Sequence, residues 1–84
     1  RAILLEALRK LPGVKAWDSD ANMVLVRFAG EGEPAQKVFD GLKARGVLVK
    51  NVSKMHPLLA QCLRLTVGTA DENARLLKAL QEIL

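Results

Sequence analysis

Tyrosine is absent from the chain, and tryptophan, histidine and cysteine occur once each, at Trp17, His56 and Cys62. Phe28 and Phe39 are the remaining aromatic residues, so any buried core has to be built from aliphatic side chains. A single cysteine excludes an internal disulfide and fits a reducing compartment. The lone histidine has neither a second histidine nor a nearby cysteine, so no metal-ligand spacing arises, and no evident nucleophile stands beside it. No apolar run approaches the ~20 residues that a bilayer-spanning helix needs. The chain starts at Arg1, with neither an initiator Met nor the basic, apolar and small-residue regions of a signal segment. It reads as a piece of a longer cytoplasmic protein.

What is present is ordinary globular composition. Half of the 84 residues are hydrophobic and 26% are charged, which bounds the chain to one small domain over residues 1–84 with a two-layer core and no deep substrate cavity. The net charge is +4, but Arg1, Arg9, Lys10, Lys15, Lys37, Lys43, Lys54 and Lys78 are scattered among acids, which argues against nucleic acid as a partner.

Ile3, Leu4, Ala7, Leu8 and Leu11 recur at helical spacing until Pro12-Gly13 ends the pattern. Val14 to Trp17 and Met23 to Phe28 are β-prone and flank Asp18-Ser19-Asp20, so a hairpin with its turn at 18–20 is expected. Pro34 suits the first turn of a second helix, whose face is marked by Ala35, Val38, Phe39 and Leu42 and whose left-handed stop is Gly46. Val47-Leu48-Val49 reads as a third strand, residues 51–61 as a connection, and Leu63 to Val67 as a fourth strand. Thr69 and Glu72 have capping-box spacing, and Leu76, Leu77, Leu80, Ile83 and Leu84 give the last helix its stripe. The expected class is α+β, in the order αββαββα, with three helices on one face of a small, mainly antiparallel sheet. The other sheet face is then left for a partner or a larger domain.

Chemistry has few candidates. Cys62, at a strand start among apolar residues, reads as a structural thiol, and His56 as a loop histidine. Asn22, just before a strand, is expected to bond backbone. Gly68 is the turn from strand to helix, without the lysine and serine or threonine of a phosphate loop. Arg64 differs, because a strand holds it and its planar fork suits a carboxylate or phosphate. A surface arginine paired with an acid is an equal alternative. Lys50 matters if its strand neighbours that of Arg64, since both cations then face one anion.

Gly46-Val-Leu-Val-Lys50, Leu63-Arg-Leu-Thr-Val-Gly-Thr69 and Asp71-Glu-Asn-Ala-Arg-Leu-Leu77 resemble the C-terminal small domain of histidinol-phosphate aminotransferases, which are fold-type I pyridoxal-phosphate enzymes. Ser19-Asp-Ala-Asn-Met-Val-Leu-Val-Arg-Phe28 resembles the first strand of that domain, so the likeness covers essentially the whole chain. It implies substrate-binding roles for Arg64 and Lys50. Arg64 matches the family arginine that grips the α-carboxylate of glutamate or the phosphate of histidinol phosphate. Lys50 stands where a second, phosphate-binding arginine is common, and it keeps the charge without the fork. The resemblance also implies a homodimeric parent that moves an amino group between glutamate and imidazole acetol phosphate in histidine biosynthesis. Its cofactor lysine and phosphate cradle lie in a larger domain absent here. The 84 residues alone are therefore expected to be inactive and to bind no pyridoxal phosphate, and no catalytic, cofactor or metal residue is assigned among them. The alternatives are the small domain of a related aminotransferase or decarboxylase, and a free-standing anion-binding or regulatory module.

Overall fold

The computed structural model describes residues 2–20 and 22–84. Arg1, one of the scattered cations, and Ala21, within the first-strand motif, lie outside them. The elements follow the order α1 (Ala2–Arg9), β1 (Val14–Asp20), β2 (Met23–Phe28), α2 (Pro34–Ala44), β3 (Lys50–Asn51), a 3-10 turn (Pro57–Leu59), β4 (Cys62–Thr66) and α3 (Ala70–Ile83). The strands form one antiparallel sheet in the order β1-β2-β4-β3, which makes the α+β architecture the one expected.

All three helices and one sheet face share a single aliphatic core. Leu4, Leu8, Val24, Val26, Val38, Leu42, Leu63, Leu65 and Leu80 are buried in it, with Phe28 as its aromatic member. Along β2 the buried residues alternate with half-buried ones, which is the signature of a strand with one face on the core. The helices α2 and α3 come close at Gly41, where an added Cβ would lie 2.8 Å from Ile83 Cδ1. That approach is made against the outer end of the Ile83 side chain.

Local chemistry sets the helix boundaries. Gly46, at φ 76°, donates its N–H to Lys43 O while the Val47 N–H bonds Leu42 O, so α2 ends in a Schellman motif. The α3 capping box is complete. The Glu72 N–H donates to Thr69 Oγ1 at 3.2 Å, and the Thr69 N–H donates to Glu72 Oε1 at 2.9 Å. At the free edge of the sheet, Arg9 donates from both Nε and Nη2 to the Ala16 carbonyl of β1, each at 3.2 Å.

Three expectations need correction. The α1 stripe is rotated by one position, so Leu4, Leu5 and Leu8 are buried while Ile3 is 84% exposed. With apolar residues at both 3 and 5, spacing along one helix could not choose between them. The turn expected at 18–20 is strand, since β1 runs to Asp20 with its register shifting between Asp18 and Asp20. Val47-Leu48-Val49 is not paired, and β3 is only Lys50–Asn51. At the far end of β4 the Gly68 N–H, which lies on the β3 side of the strand, goes to Asn73 Oδ1 at 3.0 Å, while the Val67 N–H continues the ladder with β2 by donating to Asn22 O at 2.7 Å. The two segments diverge around a concavity of about 360 Å³.

Candidate functional site

Leu63 and Leu65 are fully buried on the helix side, so strand alternation projects Arg64 from the opposite face of the sheet. Lys50 is its direct cross-strand partner in β3, and residues paired across a ladder share a face. Asn51, the neighbour of Lys50, takes the helix side, where its Nδ2 donates to Gln36 Oε1 of α2 at 3.1 Å. The two cations expected to converge are thus brought side by side.

The register extends this pair into a row across the sheet. Trp17 pairs with Leu25, Leu25 with Arg64, and Arg64 with Lys50. The adjacent row is Lys15, Arg27 and Cys62. The helix-free face therefore carries four cations beside the indole of Trp17. Arg64 and Lys50 engage no acidic side chain among the described residues, and the ion pair between Arg45 and Glu82 lies elsewhere, joining α2 to α3. Like charges placed directly opposite each other are unfavourable without an anion between them. Chemically, the pair offers a planar fork beside a point charge, which suits a carboxylate or phosphate.

Arg27 was not singled out from sequence, although it is the most connected side chain on this face. Its Nε donates to Ala60 O at 3.1 Å, its Nη2 donates to Leu58 O, and its guanidinium carbon lies 5.4 Å from the centre of the Trp17 ring. The alternation of Val24, Val26 and Phe28 was the available signal, since it sends Leu25 and Arg27 to the face of Arg64.

The other candidates have structural roles. His56 caps the 3-10 turn by accepting the Leu58 N–H on Nδ1 at 3.1 Å. Cys62 is buried, with Sγ 3.6 Å from Ala60 O. Asn22 meets Val67 through its backbone carbonyl. Gly68 makes the turn into α3, where the Thr69 backbone N–H, and after it the Thr69 hydroxyl, hold the Glu72 carboxyl below its ordinary range. No group of three or more histidine, cysteine, aspartate or glutamate residues capable of holding a metal occurs among the described residues. No helix among them is long and apolar enough to cross a membrane.

The fold recurs inside larger enzymes. It superimposes on a decarboxylase from Sulfurospirillum multivorans with a TM-score of 0.87 and 26% identity, over 99% of this chain and 23% of that one. It also matches the histidinol-phosphate aminotransferase from Clostridium acetobutylicum with a TM-score of 0.84, where 20% identity makes the likeness one of fold. Sequence narrows the class. The chain is 63% identical over all its 84 residues to histidinol-phosphate aminotransferase of Polaromonas naphthalenivorans, and 59% identical over 85 aligned positions to that of Paracidovorax citrulli. It matches histidinol-phosphate aminotransferases from end to end, as its strand and helix motifs implied, while spanning about 22% of the length of these relatives. No family model matches.

The lining of the concavity beside α3 does not by itself fit pyridoxal phosphate. The concavity beside α3 is lined by no lysine, and the one carboxylate on its wall, that of Glu72, is committed to the Thr69 N–H.

Proposed function

We propose that this chain is the C-terminal, substrate-anion-binding small domain of a histidinol-phosphate aminotransferase. In that enzyme an amino group passes between glutamate and imidazole acetol phosphate, and the pyridoxal phosphate that accepts it is held by the remainder of the protein. The observation that carries this reading is the Arg64 and Lys50 pair, aligned by register on the helix-free face. The end-to-end similarity to such enzymes supports it. Arg64 orients the anionic end of either substrate through its fork, and Lys50 adds charge for the phosphate. On this reading the 84 residues alone do not catalyse transamination, and the parent is a cytoplasmic homodimer.

The test is Arg64→Ala in the full-length enzyme. A hydrogen bond to a charged group contributes about 1.5–3 kcal/mol, so kcat/KM should fall roughly ten- to hundred-fold for both glutamate and the phosphate substrate. Cofactor absorbance should be retained. Unchanged kinetics for both substrates overturn the assignment.

A second reading is favoured by the likeness to the Sulfurospirillum multivorans decarboxylase, in which this would be the small domain of a decarboxylase of the same fold. Carbon dioxide release by the full-length protein, with no amino transfer to 2-oxoglutarate, would select it.

A further inference from the structure

We infer that Arg27 is a positioning residue, one that holds Lys50 opposite Arg64 without itself contacting the anion; the inference rests on the anion-binding reading of that pair. Little in its own strand fixes Lys50. The strand β3 has two residues, and only Lys50↔Arg64 and Asn51↔Leu63 define its register. So short an edge strand specifies its own register weakly. The path of the connection at 52–61, which ties Asn51 to Cys62, has to supply the rest.

Besides the burial of Val52, that connection is fastened by hydrogen bonds at three places. At its start, Asn51 Oδ1 accepts from the Ser53 N–H at 3.0 Å and from Ser53 Oγ at 2.6 Å. At its end, Gln61 accepts the Phe28 N–H on its carbonyl at 2.9 Å and the Ala35 N–H on Oε1 at 3.0 Å. In the middle, the fastening to the sheet is Arg27, whose guanidinium takes the carbonyls of Leu58 and Ala60 together. The remaining bonds there are short-range, those of His56 to Leu58 and Leu59 lying within the turn and that of Cys62 Sγ to Ala60 O, at 3.6 Å, spanning two residues. Stacking on Trp17 holds the guanidinium in place. A planar fork with several donors can take two carbonyls at once, whereas a lysine ammonium offers a single point of attachment. The Nε and Nη2 of Arg27 are turned to the connection and one face of its guanidinium to the indole, so its orientation is set by the connection and by Trp17 rather than by the Arg64 and Lys50 pair.

The experiment compares Arg27→Lys, Lys50→Ala and their combination in the full-length protein, with histidinol phosphate as the probe. Arg27→Lys keeps the charge, so a loss cannot be ascribed to the field on this face. Expected are a rise in KM for histidinol phosphate of roughly five- to ten-fold with kcat held within about twofold, and faster amide exchange at Leu59 and Ala60. In the Lys50→Ala background the same change should add nothing to KM, because no cation is left to place. Full additivity of the two substitutions, or an unchanged KM for Arg27→Lys, overturns the inference. Failure of the anion-binding reading looks different. Lys50→Ala and Arg64→Ala would then both leave KM unchanged, while Arg27→Lys would still quicken exchange at 59 and 60.

Discussion

Gln61 Oε1 accepts the Ala35 backbone N–H at 3.0 Å, so a residue entering β4 satisfies a donor in the first turn of α2. Gln61 does this with φ at 59°, the left-handed region that favours glycine. Two effects at this position have opposite signs. Gln61→Ala removes the hydrogen bond and keeps the strained backbone, so a loss of about 1 kcal/mol is expected. Gln61→Gly loses the same bond but relieves the backbone, and should be the more stable of the two variants. Urea denaturation of both variants checks the order; Gln61→Ala being the more stable would contradict the backbone account.

Between α2 and α3, Gly41 is set against Ile83. Alanine is the better helix former by about 1 kcal/mol, yet a Cβ here meets Ile83 Cδ1 at 2.8 Å and Cγ1 at 2.9 Å. Gly41→Ala should therefore forfeit part or all of that gain in the intact fold, since the Ile83 side chain has to turn away from the new Cβ. In an Ile83→Ala background the same substitution should stabilise by up to about 1 kcal/mol. A double-mutant cycle in denaturant reads the coupling, and simple additivity would refute it.

The α3 capping box gives a pH dependence of known sign. The carboxyl of Glu72 is held below its ordinary value, chiefly by the Thr69 backbone N–H, so its unfolded-state pKa is the higher of the two. The stabilisation is then fully present above the ordinary glutamate range and is lost as pH falls through the lowered folded value. The stability gap between the parent chain and Glu72→Ala should shrink steadily on acidification from pH 7. A gap that stays constant down to pH 3 would mean that the carboxylate contributes nothing to the cap.

Lys50 should show a split between stability and binding. Facing Arg64 with no anion between them, it repels its partner, so Lys50→Ala should raise the thermal stability of the unliganded fold by roughly 0.2–1 kcal/mol. The same change should weaken binding of a phosphate-bearing substrate by the full-length protein, whereas Lys50→Arg should strengthen it by restoring a fork. Calorimetry with and without inorganic phosphate separates the two effects; a Lys50→Ala variant that loses stability in the unliganded state would contradict the pairing argument.

The sequence carried its own marks for the helices and for the alternation of β2. Pro34, Gly46 and the Thr69 and Glu72 pair act within a turn of where they stand, and the structure uses each as expected. The pairing of the two cations was half legible. The fork of Arg64 could be recognised, but its place opposite Lys50 depends on β3 lying next to β4, which no local spacing encodes. Arg27 was out of reach because its acceptors are 31 and 33 residues away along the chain. The 47–49 segment misled because β-prone residues form a ladder only where a neighbour has donors to offer, and beyond Thr66 the Gly68 N–H on that side of β4 goes to Asn73. Gln61 belongs to none of the residue types that signal a left-handed backbone, so its bend had no sequence mark.

The two hydrogen bonds from Arg9 to Ala16 also limit how this sheet can grow. An unprotected outer strand can recruit another molecule by backbone pairing, the usual route to domain swapping and fibrils. Here a guanidinium sits where an incoming strand would have to lie, and the opposite border, β3, is two residues long. Neither border makes a good template, so whatever meets this domain has to engage its side chains rather than extend its ladder.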